Sequence, residues 1–211
     1  MQGGTSTSIM MLLGLGAFHG LNPGMGWLFA VALGMQERRR TAALAALLPL
    51  GLGHALAVSV AVVIAVVAGV VIPINWLHWI LAGTLISLGA SRLFTHRHPR
   101  WASMRVNGCA LTFWSFLMAS AHGAGLMVVP VFLSMPMENS HCHAMSGSTM
   151  TFTGALLATV VHSLGYLLMT AIIAVVVFEK VGLGILRKAW FNLDLVWATT
   201  LLGTGLLCVF L

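Results

Sequence analysis

Six stretches of the chain are almost wholly apolar, and short polar segments separate them. A helix that spans a bilayer needs about 20 consecutive apolar residues, and each stretch approaches or exceeds that length. The pattern therefore predicts an all-α integral membrane protein with six transmembrane helices. The predicted spans cover residues 9–35, 41–72, 75–94, 107–134, 150–178 and 191–211.

The first predicted span is interrupted near its middle by a polar and glycine-rich segment. This segment reads His19-Gly20-Leu21-Asn22-Pro23-Gly24-Met25. Because Pro23 has no N–H, we expect the carbonyl of His19 to lose its helical partner. An unpaired carbonyl is costly in lipid, so the broken first helix should face protein or a polar cavity. Broken helices at this depth are typical of transporter binding sites, and a proline kink that only shapes packing is the alternative.

Composition agrees with a membrane protein and excludes several other classes. Of the 211 residues, 59% are hydrophobic and 7% are charged, and the mean hydropathy is +1.00. No polar stretch is long enough for a separate soluble domain. The net charge of +6 lies in short loops, so it does not indicate nucleic-acid binding. Three cysteines are too few for a disulfide scaffold.

The basic residues predict the orientation. Nine of the ten Lys and Arg residues follow the first, third or fifth span, and Arg92 lies in the last turn of the third. With six spans these positions lie on one side of the membrane. Basic loops are cytoplasmic in membrane proteins. We therefore expect a cytoplasmic (inner) membrane protein of bacterial type, with both termini extracytoplasmic.

The two halves of the chain resemble each other weakly, so residues 1–106 and 107–211 are predicted to be two three-helix repeats of one membrane domain. The matched positions are His19 and His122, His54 and His162, and Asn75 and Asn192. A repeat with three spans enters the membrane upside down the second time. Such 3+3 inverted repeats place a transport site at the midplane between the halves.

Four of these matched residues are histidines near the middle of their spans. An ionisable side chain inside a membrane indicates a functional site, and neutral imidazole is a common metal ligand. Packing histidines held by hydrogen bonds are the alternative. Tyr166, one turn after His162, is expected to fix an imidazole tautomer. The predicted midplane metal ligands are His19, Met25, His54, Met118, His122 and His162.

The loop after the fourth span carries a second set of metal-binding side chains. Thioether, thiol and imidazole groups suit Cu(I), Zn(II) or Ni(II). The topology puts this loop outside the cell, where it would capture ions, and a flexible histidine-rich connector is the alternative. The predicted ligands there are Met135, Met137, His141, Cys142, His143 and Met145.

The interrupted segment of the first span, together with Gly53-His54 in the second, resembles the nickel/cobalt transporter-exporter (NicO-type) family of the LysE superfamily. The segment 186–194 is also similar to the segment that leads into the last helix in that family. The resemblance implies a polytopic membrane protein that moves divalent transition metals. The family has an acid where this chain has Asn22, and a second histidine where it has Met25. These departures favour a softer ion such as Cu(I).

The sequence thus predicts a transition-metal permease rather than an enzyme. Copper is the favoured ion, with nickel, cobalt or zinc as alternatives. The protein is expected to lie in the lipid bilayer. No P-loop is present, so energy would come from a gradient or a separate subunit. The direction of transport, import or export, stays open. So does the presence of a homo-oligomer or of partner membrane subunits. The alternative functions are a membrane redox protein with haem b between paired histidines, and an accessory subunit of a larger membrane complex.

The orientation can be tested at Cys142. We expect a thiol label that does not cross membranes to reach Cys142 in intact cells, because the loop after the fourth span is predicted to be external. Mass spectrometry of the labelled protein measures this, with Cys142→Ser as the control for other thiols. Labelling that occurs only after lysis would reverse the predicted topology.

Overall fold

The computed structural model describes residues 2–94, 107–133, 152–181 and 193–210. All regular elements in these ranges are helical, which confirms the all-α prediction. A 3-10 turn, Pro23–Met25, separates α1 from α2, and a π turn, Val177–Val181, follows α7. The α-helices are α1 (Gln2–Leu21), α2 (Trp27–Glu37), α3 (Arg40–Val71), α4 (Ile74–Phe94), α5 (Gly108–Ala121), α6 (Ala124–Leu133), α7 (Phe152–Val176) and α8 (Leu193–Phe210).

Two helical segments are long and apolar enough to cross a membrane, Arg40–Ala68 and Thr153–Lys180, and the bent pair α5 and α6 makes a third if it counts as one span. The outward faces of these helices are apolar: on α3, for example, Leu48, Leu52 and Leu56 are 52–70% exposed. Exposure of such an apolar surface is favourable in a lipid bilayer and unfavourable in water. Shorter apolar segments are Ser6–Leu21, Trp76–Ser91 and Ala198–Val209. The structure thus supports two or three membrane spans, and six spans stay a prediction.

The predicted break in the first span is present. After α1 ends at Leu21, Asn22 is extended, with φ −71° and ψ 122°, and its side chain caps the 3-10 turn. Gly26 has φ +144°, a backbone conformation that only glycine adopts readily, and α2 begins at the next residue. The sequence Asn-Pro-Gly-Met-Gly therefore divides one apolar stretch into two helices.

A second break follows α5. His122 ends that helix, Gly123 has φ +71°, and α6 begins at Ala124. The axes of α5 and α6 differ by 60°. Each of the two breaks therefore comes within three residues of a buried histidine, His19 in the first case and His122 in the second.

The helices pack most extensively in three pairs: α1 with α7, α3 with α5, and α4 with α8. Glycines let the first two pairs approach closely. A Cβ at Gly16 or Gly165 would overlap the backbone of the facing helix in the α1–α7 pair, and one at Gly53 would overlap α5. Small residues at such contacts are typical of helix packing in membranes.

Charged residues mark one end of the bundle. The guanidinium of Arg40, at the start of α3, lies 2.9 Å from the carboxylate of Glu179, just after α7. Arg39 and Glu37 form a longer, exposed pair of 3.8 Å beside it. The segments after α2 and after α7 therefore lie at the same end of the bundle, as the predicted orientation requires, and their side of a membrane stays a prediction.

The α1–α7 contact can be tested with two glycines of one helix. Gly16→Ala should lower the free energy of unfolding by about 1–3 kcal/mol, because the new methyl group would overlap the carbonyl oxygen of His162. Gly14→Ala is the matched control, since a Cβ there meets no atom within 4 Å. Thermal unfolding in detergent measures both, and equal melting temperatures for the two variants would contradict this packing.

Candidate functional site

Three imidazole rings lie next to one another in the interior. They belong to His19 on α1, His54 on α3 and His162 on α7, and each side chain is fully buried. The ring centroids are 5.8 Å apart for His19 and His54, 5.0 Å for His19 and His162, and 5.4 Å for His54 and His162. We call these three residues the histidine cluster. It unites three of the four histidines that were expected to share a midplane site.

The positions of the glycines explain why these rings meet. Gly16 precedes His19 by three residues and Gly165 follows His162 by three, so each glycine shares a helix face with a histidine. Both glycines lie where α1 and α7 touch through their backbones. The close approach of these two helices therefore brings the imidazoles together.

The tautomer of His19 follows from its hydrogen bond. Its Nδ1 lies 2.7 Å from the carbonyl oxygen of Leu15. A carbonyl oxygen only accepts, so Nδ1 of the neutral ring carries the proton and donates it. The lone pair then belongs to Nε2, the nitrogen on the far edge of the ring. A backbone carbonyl, and not Tyr166, thus fixes this tautomer.

His122 repeats this arrangement in the second half of the chain. Its Nδ1 lies 2.8 Å from the carbonyl oxygen of Met118, one turn earlier, so Nε2 again carries the lone pair. The side chain is buried, and His122 is close enough to interact electrostatically with His19. The fourth midspan histidine therefore lies at the second helix break, within electrostatic range of His19.

Tyr166 connects the histidine cluster to the first break. Its ring stacks on the imidazole of His54, with centroids 3.9 Å apart and planes within 5° of parallel. Its hydroxyl donates a hydrogen bond to the carbonyl oxygen of Met25. Gly26 packs against the same hydroxyl, since an added Cβ would lie only 2.8 Å from it. One fully buried side chain therefore contacts both an imidazole and the interrupted backbone.

The backbone groups at the first break have partners, which corrects the expectation of a free carbonyl on His19. The N–H of Asn22 donates to that carbonyl over 3.2 Å, in place of the bond that Pro23 removes. The indole N–H of Trp27 donates to the carbonyl of Leu21 over 3.0 Å. The segment is stable in apolar surroundings because short turns and side chains replace the helical hydrogen bonds.

The ring nitrogens of His54 are different. Within the described part of the chain, both are buried and neither has a hydrogen-bond partner. A buried polar atom without a partner costs about 1–3 kcal/mol. Such an atom in a native structure calls for an explanation, and a ligand that binds during function is one.

The cluster does not form a metal site as its rings now stand. No group of three or more His, Cys, Asp or Glu side chains in the described ranges is arranged to hold an ion. The reason lies in the ring planes. His54 and His162 are stacked with their planes 16° apart, and the lone pair of an imidazole nitrogen lies in the plane of its ring. Two rings that stack face to face cannot both direct an in-plane lone pair at one point between them.

The structure also locates the two predicted methionine ligands of the midplane. Met25 is buried in an apolar cluster that contains Tyr166, Met127 and residues of α4 and α8. Met118 is partly buried against that cluster, and its terminal methyl group lies near Gly24. Their backbone carbonyls accept hydrogen bonds from Tyr166 and His122, and a role for either sulfur as a ligand stays a prediction.

The predicted outer site lies outside the described residues. This holds for all six of its ligands, Met135, Met137, His141, Cys142, His143 and Met145.

Sequence reasoning missed three buried contacts. Trp27 was not singled out, although it supports the break, and Ser115 donates to the carbonyl of Leu50 over 2.6 Å, which ties α5 to α3. Tyr166 was expected to bond an imidazole but instead stacks on one. The signal available in the sequence was the position of this single tyrosine, four residues after His162 on the same helix face.

Comparison with known proteins returns no match: no family model, no curated protein and no solved structure matches the chain. The resemblance to nickel/cobalt transporters therefore stays a prediction from short motifs.

The support that Trp27 gives to the first break can be measured. Trp27→Phe should lower the free energy of unfolding by about 1–3 kcal/mol, because the carbonyl of Leu21 would lose its indole donor in apolar surroundings. Trp79→Phe is the control, since Trp79 is 60% exposed on α4. Thermal unfolding in detergent gives the comparison, and equal losses would show that the indole N–H contributes nothing.

Proposed function

We propose that this protein moves a soft transition-metal ion across a membrane through the histidine cluster, and that the ion is Cu(I). The observation that carries the proposal is the burial of three adjacent imidazoles, from three helices, beside a helix break. Ionisable side chains buried at a broken helix are typical of transporter binding sites.

The spacing of the rings suits a shared ion. Imidazole nitrogens bind transition metals at about 2.0–2.1 Å, so two rings on one ion have their centroids about 5 Å apart. The three centroid distances of the histidine cluster are 5.0–5.8 Å. Coordination then requires rotation of a ring and little movement of the helices. In this tautomer Nε2 of His19 is the nitrogen that carries the lone pair.

The charge of the site favours a monovalent ion. The acidic side chains that the structure describes, Glu37 and Glu179, are exposed at the end of the bundle. The side chains of Glu138 and Asp194 lie outside the described part. Neutral imidazoles leave the charge of an ion uncompensated, and the cost of removing an ion from water grows with the square of its charge. Cu(I) therefore costs less than Ni(II), Co(II) or Zn(II), and it accepts imidazole and thioether ligands.

The helix pairing supports the proposed 3+3 inverted repeat. In chain order, the six predicted spans contain α1 with α2, then α3, α4, α5 with α6, α7 and α8. If the first three spans correspond to the last three, the α1–α7 pair corresponds to α5–α3, and the α4–α8 pair corresponds to itself. The three main helix pairs are thus unchanged by exchange of the halves. The two breaks and the matching bonds of His19 and His122 to carbonyls four residues earlier obey the same exchange. An exchange of this kind gives a site at the midplane two equivalent routes, one toward each side.

A haem between paired histidines fits this packing poorly. Axial imidazoles bind opposite faces of a porphyrin, which has to fit between them. Here each of the three rings has both others within 5.8 Å, and Tyr166 covers the face of His54. A porphyrin would have to displace this whole group.

The function can be tested by replacing two members of the histidine cluster. His54→Gln with His162→Gln should reduce copper content of the purified protein and copper-dependent accumulation in cells by about 10- to 100-fold, because two nitrogen ligands are lost. His78→Gln is the control, since His78 lies between two exposed tryptophans on α4. Mass spectrometry of copper, nickel, cobalt and zinc at matched expression identifies the ion. A double variant that keeps the metal content of the wild type would make these histidines packing residues.

A further inference from the structure

The orientation of one imidazole decides whether the histidine cluster can converge on a single point. His54 is that ring, because it lies nearly parallel to His162 and is tilted by 69° from His19. Its other neighbour is Tyr166, whose ring stacks on it with planes within 5° of parallel and centroids only 3.9 Å apart. The stack with Tyr166 therefore holds His54 in the orientation in which its nitrogens do not converge with those of His162.

We propose that Tyr166 is a positioning residue that holds His54 away from the ion and transmits the rotation of His54 to the break after α1. The proposal rests on the function proposed above. Its basis is that the same phenol contacts both parts: its ring contacts the imidazole of His54, and its hydroxyl bonds the carbonyl of Met25.

The connection between the two parts is tight. When His54 turns toward an ion, the phenol ring loses the surface on which it stacks. The hydroxyl is confined between the Met25 carbonyl and Gly26, where an added Cβ would lie 2.8 Å from the oxygen. A shift of the ring therefore either breaks the hydrogen bond to Met25 or moves the segment from Pro23 to Gly26. Occupation of the histidine cluster and release of the broken segment become one event.

This coupling has a thermodynamic consequence that distinguishes it from a structural role. The stacked arrangement competes with ion binding, and a ligand binds more weakly when a competing state is stabilised. Removal of the stack should therefore tighten ion binding. Loss of an ordinary core residue would weaken binding or leave it unchanged.

The test is a titration of the purified full chain in detergent with silver(I), a soft monovalent ion, by calorimetry. Tyr166→Leu removes the stack and should bind silver(I) about three- to tenfold more tightly than the wild type, as the strength of one aromatic contact predicts. Tyr166→Phe keeps the ring and should bind as the wild type does. In Tyr166→Phe without silver(I), the amides of Gly24 and Gly26 should exchange faster with solvent, because Met25 has lost its donor. Leu168→Ala, an exposed position on the same helix, is the control.

Equal or weaker binding by Tyr166→Leu, with wild-type binding by Tyr166→Phe, overturns the role of Tyr166 and leaves the proposed function standing. Both proposals are overturned if the wild type shows no saturable binding of silver(I). They are also overturned if the double variant His54→Gln with His162→Gln does not abolish that binding. If Tyr166→Leu does not fold, the wild type decides, because Tyr166 is the only tyrosine of the chain. Its Raman doublet reports hydrogen-bond donation by the phenol. A change at saturating silver(I) in this doublet, or in the solvent exchange of the Gly24 and Gly26 amides, supports the coupling. No change in either measurement overturns it.

Discussion

An interrupted helix in apolar surroundings must find a partner for every backbone group that the interruption frees, and this constraint organises the interior of the molecule. The indole of Trp27 reaches back over the break to the carbonyl of Leu21, and the phenol of Tyr166 reaches across from α7 to Met25. Because Tyr166 must reach that carbonyl, its ring lies where it contacts His54. The hydrogen bonding of the backbone at the break and the geometry of the histidine cluster therefore depend on the same side chain.

The close contact of α1 with α7 is the second requirement, and glycine provides it. Gly16 and Gly165 remove the side chains that would separate the two helices, so His19 and His162 approach to 5.0 Å between ring centroids. In lipid, helices gain little from apolar contact alone, so shape at the interface decides which faces meet. The glycines thus determine which residues share the interior, and the histidines occupy the positions next to them.

The sequence predicted the features that depend on residue type and missed those that depend on the rotation of a side chain. The break was predictable because Pro23 lacks an N–H, and the burial of His54 was predictable from its place within an apolar stretch. The stack of Tyr166 on His54 was not, because helical periodicity gives the face of a residue and not its partner across a helix pair. The carbonyl of His19 also found a donor in Asn22, since a short turn can replace one helical bond.

The histidine cluster lowers the stability of the fold, and this cost bears on its role. Three fully buried imidazoles bring polar nitrogens into the core, and those of His54 have no donor or acceptor in the described part of the chain. Apolar side chains of similar volume would pack there without that penalty. Under the function we propose, an ion supplies the missing partner and offsets the cost while it is bound. Weak hydrogen bonding of the imidazole nitrogens within the protein also suits transport. Ligands that are engaged in strong hydrogen bonds would have to break them each time an ion entered or left.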